Sequence, residues 1–193
     1  MLSLKESLKI LKETKALIEG HFILSSGLHS PTYVQCAQLM SKPSQAAQIC
    51  ESLAKKIKSK TNDIDLILSP AMGGIVVGYE IGKLLGIETI FSERVNGKFE
   101  LRRGFKIKQG ANVLIVEDVI TTGKSSVECS MLVTINKANI SGYACIIDRS
   151  NGKTEINDKI ISQIKLNIPT YKKENLPKEL ISLDPVKPGS RNL

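Results

Sequence analysis

The sequence predicts an α/β protein, a central and mostly parallel β-sheet flanked by helices with a small N-terminal hood. Three observations carry that expectation. Short apolar runs at 65–69 (DLILS), 89–92 (TIFS), 113–117 (VLIVE), 143–148 (YACIID) and 164–168 (IKLNI) are each bounded by turn residues, as buried parallel strands are. Helical stretches separate them: GGIVVGYEIGKLLG follows the first run, and SSVECSMLVTINKAN follows the third. Finally, 193 residues with 41% hydrophobic and 24% charged side chains suffice for one well-buried core. A single domain over 1–193 is expected, with a helix and hood over 1–42, an α/β core over 43–170 and a tail over 171–193.

Each element has its own local cause. Ser3 and Glu6 form a capping box, and Leu4, Leu8 and Leu11 recur at helical spacing, which predicts a helix over 3–19 stopped by Gly20. HFILSSGLHSPTYVQCAQLM mixes β-formers with Gly27 and Pro31, giving short strands or an irregular hood. After Pro43, Ile49, Leu53 and Ile57 mark one helical face, with Lys55, Lys56 and Lys58 outside it. Beyond the last strand, PVKPGSRNL is expected to be extended or partly mobile.

Composition excludes several function classes. No apolar run reaches membrane-spanning length, and MLSLKESLKILKETK scatters charge through any signal core, so a cytoplasmic protein is expected. Cys36, Cys50, Cys129 and Cys145 show no CxxC spacing and read as reduced, small apolar residues. The formal charge of +8 is spread along the chain, aromatics are 4%, and no nucleic-acid motif is present. A small, highly phosphorylated ligand fits better than nucleic acid or a membrane surface.

The stretch VLIVEDVITTGKSS at 113–126 is the most informative. Its GKS ending suggests a Walker A loop, but the position that loop requires as its first glycine holds Asp118. Read instead as a phosphate cup, Thr121, Thr122, Gly123, Lys124, Ser125 and Ser126 offer N–H groups and hydroxyls where a helix begins. Glu117 and Asp118, just upstream, can accept hydrogen bonds from vicinal hydroxyls. Phosphate plus diol describes a ribose 5-phosphate. The bland alternative is a capped helix with two solvated carboxylates.

VLIVEDVITTGKS resembles the signature of the type I phosphoribosyltransferases. Further stretches resemble the short-chain orotate branch: GHFILSSGLHSPTYVQC, SPAMGGIVVGYEIG, IIDRSNG and the ERxxGxxxLRRGF pattern. The resemblance implies a type I phosphoribosyltransferase fold and transfer of a phosphoribosyl group from phosphoribosyl pyrophosphate to orotate, in pyrimidine synthesis. It implies that Glu117, Asp118, Val119, Ile120, Thr121, Thr122, Gly123, Lys124 and Ser125 hold phosphoribosyl pyrophosphate, and that Thr121 and Arg149 contact orotate. A guanidinium suits a carboxylate, although a surface ion pair is the other reading of Arg149.

FSERVNGKFELRRGFKIKQG resembles the family's mobile loop. From Ile90 to Gly110 it carries six basic residues against two acidic, a net of +4 suited to pyrophosphate. Arg94, Lys98, Arg102 and Arg103 are the implied catalytic cations, and a solvated hairpin is the plain alternative. Mg²⁺ is implied as cofactor, held by substrate and water rather than by protein side chains, and a homodimer is implied as the assembly. Where many orotate enzymes have lysine, this chain has Gly73 and Ser25; it also lacks the loop's Lys-Asp-His arrangement and the paired cysteines before the tail, so no structural zinc is expected. His21 and His29 read as structural. The alternatives are a purine-base phosphoribosyltransferase and a non-catalytic sensor of phosphoribosyl pyrophosphate.

Overall fold

The computed structural model describes all residues except 25, 62 and 189–193; the Ser25 difference and the end of the tail therefore lie outside the described residues. Helix α1 (Leu4–Glu13) opens with the expected capping box, Ser3 Oγ accepting from the Glu6 amide and Glu6 accepting from the Ser3 amide. It ends six residues before the expected boundary at 19. Thr14 Oγ1 donates to the Ile10 and Leu11 carbonyls, Lys15 turns to φ 57°, and the Ala16 amide bonds back to Leu11 at 2.8 Å. Leu17, Ile18, Phe22 and Ile23 then belong to strand β1 (Leu17–Ile23), which pairs antiparallel with β2 (His29–Val34). Gly20 sits in an irregularity of that pairing and is not a helix stop.

Helix α2 (Cys36–Met40) leads to α3 (Pro43–Lys58), whose Ile49, Leu53 and Ile57 are fully buried. Of the three lysines expected outside, Lys56 turns inward and donates to the Ser162 and Gln163 carbonyls at 3.1 and 2.9 Å. The core continues as β3 (Leu66–Pro70), α4 (Gly73–Leu85), β4 (Glu88–Val95), β5 (Lys98–Leu101), β6 (Asn112–Ile120), α5 (Lys124–Ile135), β7 (Asn139–Asp148) and β8 (Ile160–Lys165). Strand β8 starts four residues ahead of the expected run because Ile160 and Ile161, not Leu166 to Ile168, align with Tyr143 and Ala144 of β7.

The six-stranded sheet has the order β5-β4-β3-β6-β7-β8, with every neighbouring pair parallel except β4 and β5. Alternation divides the core. Ile67, Leu114, Val116, Ala144 and Ile146 face α1, α3 and α4, whereas Leu66, Leu68, Val113, Ile115, Tyr143 and Cys145 face α5 and the β4–β5 hairpin. All four cysteines are free and buried, and burial pushes the Cys50 and Cys129 thiols up to about 12.

The segment that resembles the family's mobile loop forms a hairpin. Asn96 and Gly97, at φ 49° and 84°, turn β4 into β5. Phe99 and Ile107 enter the core, and Phe91 meets Phe105 edge to face at 5.1 Å. After β8 a 3-10 turn (Lys173–Asn175) and α6 (Lys178–Ile181) bring the chain back to the hood. Tyr171 and His29 exchange backbone hydrogen bonds, and Val186 bonds to His21 and Ile23. The His21 ring lies between Leu183 O at 2.9 Å and His29 Nδ1 at 2.6 Å, which ties the hood to the C-terminal segment.

Candidate active site

The sheet order fixes where a ligand can enter. From β3 the chain moves outward to β4 and β5, then returns to place β6 on the other side of β3. The crevice beyond the carboxyl ends of β3 and β6 is therefore the switch point at which open α/β sheets bind ligands. Two segments end there: Ala71–Gly74 after β3, and the 117–126 stretch that closes β6 and opens α5.

Gly123 stands at the N-cap of α5 with φ 81°, in the left-handed region, and supplies no side-chain cap. Among the described residues, the Ser125 and Ser126 amides have no acceptor; the first helical bond is Val127 N to Gly123 O. Thr122 Oγ1 accepts from the Lys124 amide at 3.3 Å, while the next two N–H groups stay open, and a helix start with free N–H groups favours an anion. Thr121, Thr122 and Lys124 are exposed around it. The side chains of Val119 and Ile120 instead pack into the two cores, leaving their backbone to shape the cup.

The loop rests on a second one. The Glu155 amide donates to Thr122 O at 2.7 Å, and Thr154 Oγ1 donates to the same carbonyl at 3.1 Å. A Cβ on Gly123 would fall 2.5 Å from Thr154 Oγ1 and 2.8 Å from the Ile156 side chain. Nothing in the sequence pattern marked Thr154 to Ile156 as part of the site; only their position after the β7 end does.

Both carboxylates are largely withdrawn from water. Burial pushes the Glu117 carboxyl from 4.5 up to about 7, opposed by a hydrogen bond from Ser126 and reinforced by the charge of Asp118. Burial also raises the Asp118 carboxyl, against amide hydrogen bonds from Val119 and its own backbone. Asp118 lies against the start of α4: a Cβ on Gly73 would come within 2.6 Å of its Oδ2. Gly73 therefore makes room for this carboxylate. Ser126, grouped by sequence with the cup, instead points its hydroxyl into the protein.

Arg149 follows the buried end of β7, its amide bonded to Ile120 O at 2.8 Å. Its Nε is buried with no hydrogen-bond partner among the described residues, and burial lowers the guanidinium's pKa against an opposing contribution from Tyr33 of the hood. Among the described residues Arg149 forms no ion pair. A half-buried guanidinium with an idle donor beside the phosphate cup is suited to receive a planar anion.

The hairpin cations divide into two classes. Arg94 pairs with Glu128 of α5 at 2.5 Å and lies 4.1 Å over the Phe99 ring, and Arg103 pairs with Glu93 at 2.9 Å. Lys98 and Arg102 are exposed and form no ion pair among the described residues. None of Lys98, Arg102 and Arg103 has a hydrogen bond or ion pair to the 117–126 loop.

Comparison with known proteins adds sequence and fold relationships. Residues 38–177 match the family model of the phosphoribosyl transferase domain. The chain is 45% identical over 189 residues to the orotate phosphoribosyltransferase of Parvibaculum lavamentivorans, covering 96% of this chain and 97% of that one. It is 45% identical over 190 residues to that of Methylorubrum populi, covering 98% and 97%. Among solved structures, orotate phosphoribosyltransferase from Aeropyrum pernix superposes with a TM-score of 0.72 at 22% identity, covering 82% of this chain and 92% of that one. Adenine phosphoribosyltransferase from Thermoanaerobacter pseudethanolicus reaches 0.61 at 18% identity, covering 70% and 88%; at these identities the likeness is one of fold.

Proposed function

The chain belongs to the orotate phosphoribosyltransferase family, and from that premise we propose that it joins orotate to phosphoribosyl pyrophosphate, releasing pyrophosphate and forming orotidine 5′-monophosphate in pyrimidine synthesis. The near full-length identity of 45% is the observation that carries this reading.

The site residues follow from the chemistry. In the reaction the bond from the anomeric carbon to pyrophosphate breaks and a bond to the orotate ring nitrogen forms, through a cationic ribosyl transition state. No covalent nucleophile is required, so positioning and electrostatics supply the rate. The open start of α5 holds the 5-phosphate through the backbone of Thr121 to Ser125. Glu117 and Asp118 accept hydrogen bonds from the ribose hydroxyls. Arg149, whose idle Nε supports the role, takes the orotate carboxylate, with Thr121 beside it. Lys98 and Arg102, uncommitted on the hairpin, are the foremost candidates to meet the departing pyrophosphate, with Arg94 and Arg103 available only after their ion pairs open.

Mg²⁺ fits as an ion that arrives with the substrate. Among the described residues no three His, Cys, Asp or Glu side chains gather, and the two adjacent carboxylates serve a diol better than an octahedral cage. When bound, the ion would neutralise charge on the pyrophosphate. A homodimer is supported by Met72, Val76 and Tyr79, exposed at 82%, 51% and 66% along one side of α4. No helix of the described residues is long and apolar enough to cross a membrane, and we place the enzyme in the cytoplasm.

A base panel with phosphoribosyl pyrophosphate and Mg²⁺ tests the reading, following orotate absorbance and, in parallel, pyrophosphate release with adenine, hypoxanthine, xanthine and uracil. Turnover confined to orotate is expected. Turnover of a purine would reassign the base, and binding of phosphoribosyl pyrophosphate without any product would indicate a sensor.

A further inference from the structure

We propose that Ser126 is a positioning residue for the transfer: its hydroxyl fixes one oxygen of Glu117 against α5 and leaves the other directed at the ribose. The inference rests on the proposed reaction, and three observations support it.

Ser126 is completely buried, yet its Oγ donates to Glu117 Oε2 at 2.5 Å, the distance of a charge-assisted O–H···O⁻ bond. Among the described residues this is the hydrogen bond the Glu117 side chain has, so Oε1 is uncommitted. Around that carboxylate, burial and Asp118 both oppose ionisation; no lysine or arginine contributes, and Ser126 is the group that favours the charged form. One buried hydroxyl therefore controls both the orientation and the charge of the carboxylate.

Its place in the helix adds a geometric consequence. Ser126 is the third residue of α5, and its amide is one of the two N–H groups left open at the phosphate cup. The residue thus faces a 5-phosphate with its backbone and the Glu117 carboxylate with its side chain. The spacing between the two handles of the substrate is set within a single residue, and loop and strand cannot drift apart without breaking the Ser126–Glu117 bond.

The test is Ser126→Ala, with Ser126→Cys as a near-isosteric variant carrying a weak donor. Two readouts are taken: the pH profile of kcat/KM for phosphoribosyl pyrophosphate, and the titration of the Glu117 carboxyl in the free protein by ¹³C NMR of glutamate-labelled samples. In Ser126→Ala the titration and the acid limb of the profile are both expected to move to higher pH by about one unit, the loss at pH 7 being about fivefold and shrinking toward pH 9. KM for orotate should hold, and Ser126→Cys should fall between. A carboxyl titration that does not move, or a rate loss equal at every pH, would overturn the assignment. Should the wild type turn over no base while the titration still moves, the proposed reaction fails and the Ser126–Glu117 coupling survives.

Discussion

Replacing Glu117 by Gln separates stability from function in a way the structure lets us size. The carboxyl is held at about 7 rather than 4.5, chiefly by burial. At ~1.4 kcal/mol for each tenfold change, ionising it in the fold costs about 3 kcal/mol more than ionising it in the unfolded chain. The side chain is partly open to solvent, which brings the recoverable amount to about 1–3 kcal/mol. The sign follows from proton binding. Between pH 4.5 and about 7 the folded state keeps the Glu117 proton that the unfolded state gives up, so this contribution to stability is complete below 4.5 and lost as pH rises through 7. Glutamine resembles the protonated form at every pH. Thermal unfolding should therefore show Glu117→Gln close to wild type at pH 4.5 and higher in Tm by about 3–10 °C at pH 8.5, while binding of phosphoribosyl pyrophosphate is lost. A Tm difference that does not grow between those pH values would refute the argument, because it would mean that the carboxylate carries no burial penalty.

Other substitutions address the remaining groups. Arg149→Ala should raise KM for orotate by about 10–100-fold and KM for phosphoribosyl pyrophosphate far less, as steady-state kinetics will tell; equal effects would remove Arg149 from the base site. Gly73→Ala places a methyl 2.6 Å from Asp118 Oδ2, so calorimetry should find phosphoribosyl pyrophosphate bound about tenfold more weakly with the melting temperature nearly unchanged. Lys98→Ala and Arg102→Ala should each lower kcat by about tenfold or more, and Arg103→Ala by less, since Arg103 is already held by Glu93. The opposite ranking would mean that the Arg103–Glu93 pair opens during turnover.

How much of this was legible in the sequence depends on whether the cause was local. The strand, two acids and small-residue loop lie in one continuous stretch, and the capping box of α1 needs only Ser3 and Glu6, so both could be read directly. The end of α1 could not, because LIEGHFI is compatible with helix until its partner HSPTYV is found across a turn. Strand β8 was misplaced for a similar reason: IKLNI and IISQIK are equally apolar, and only pairing with Tyr143 and Ala144 chooses between them. Around the site, Ser126 was legible as a small polar residue but not as a buried donor to Glu117. That depends on the rotation of α5 over β6. Thr154, meeting Thr122 across 32 residues, left no pattern at all.

The backbone bonds between the hood and the far end of the chain bear on the order in which this protein is made. His21, Ile23 and His29 emerge from the ribosome early, but their partners at Tyr171, Leu183 and Val186 are synthesised roughly 150 residues later. Until then the exposed edge of β1 and β2 has donors and acceptors with nothing of its own to meet, the condition under which a nascent strand pairs with a neighbour's. A stretch that leaves the tunnel early is thus among the last to be finished, and the interval in between is when the chain is most open to misassembly.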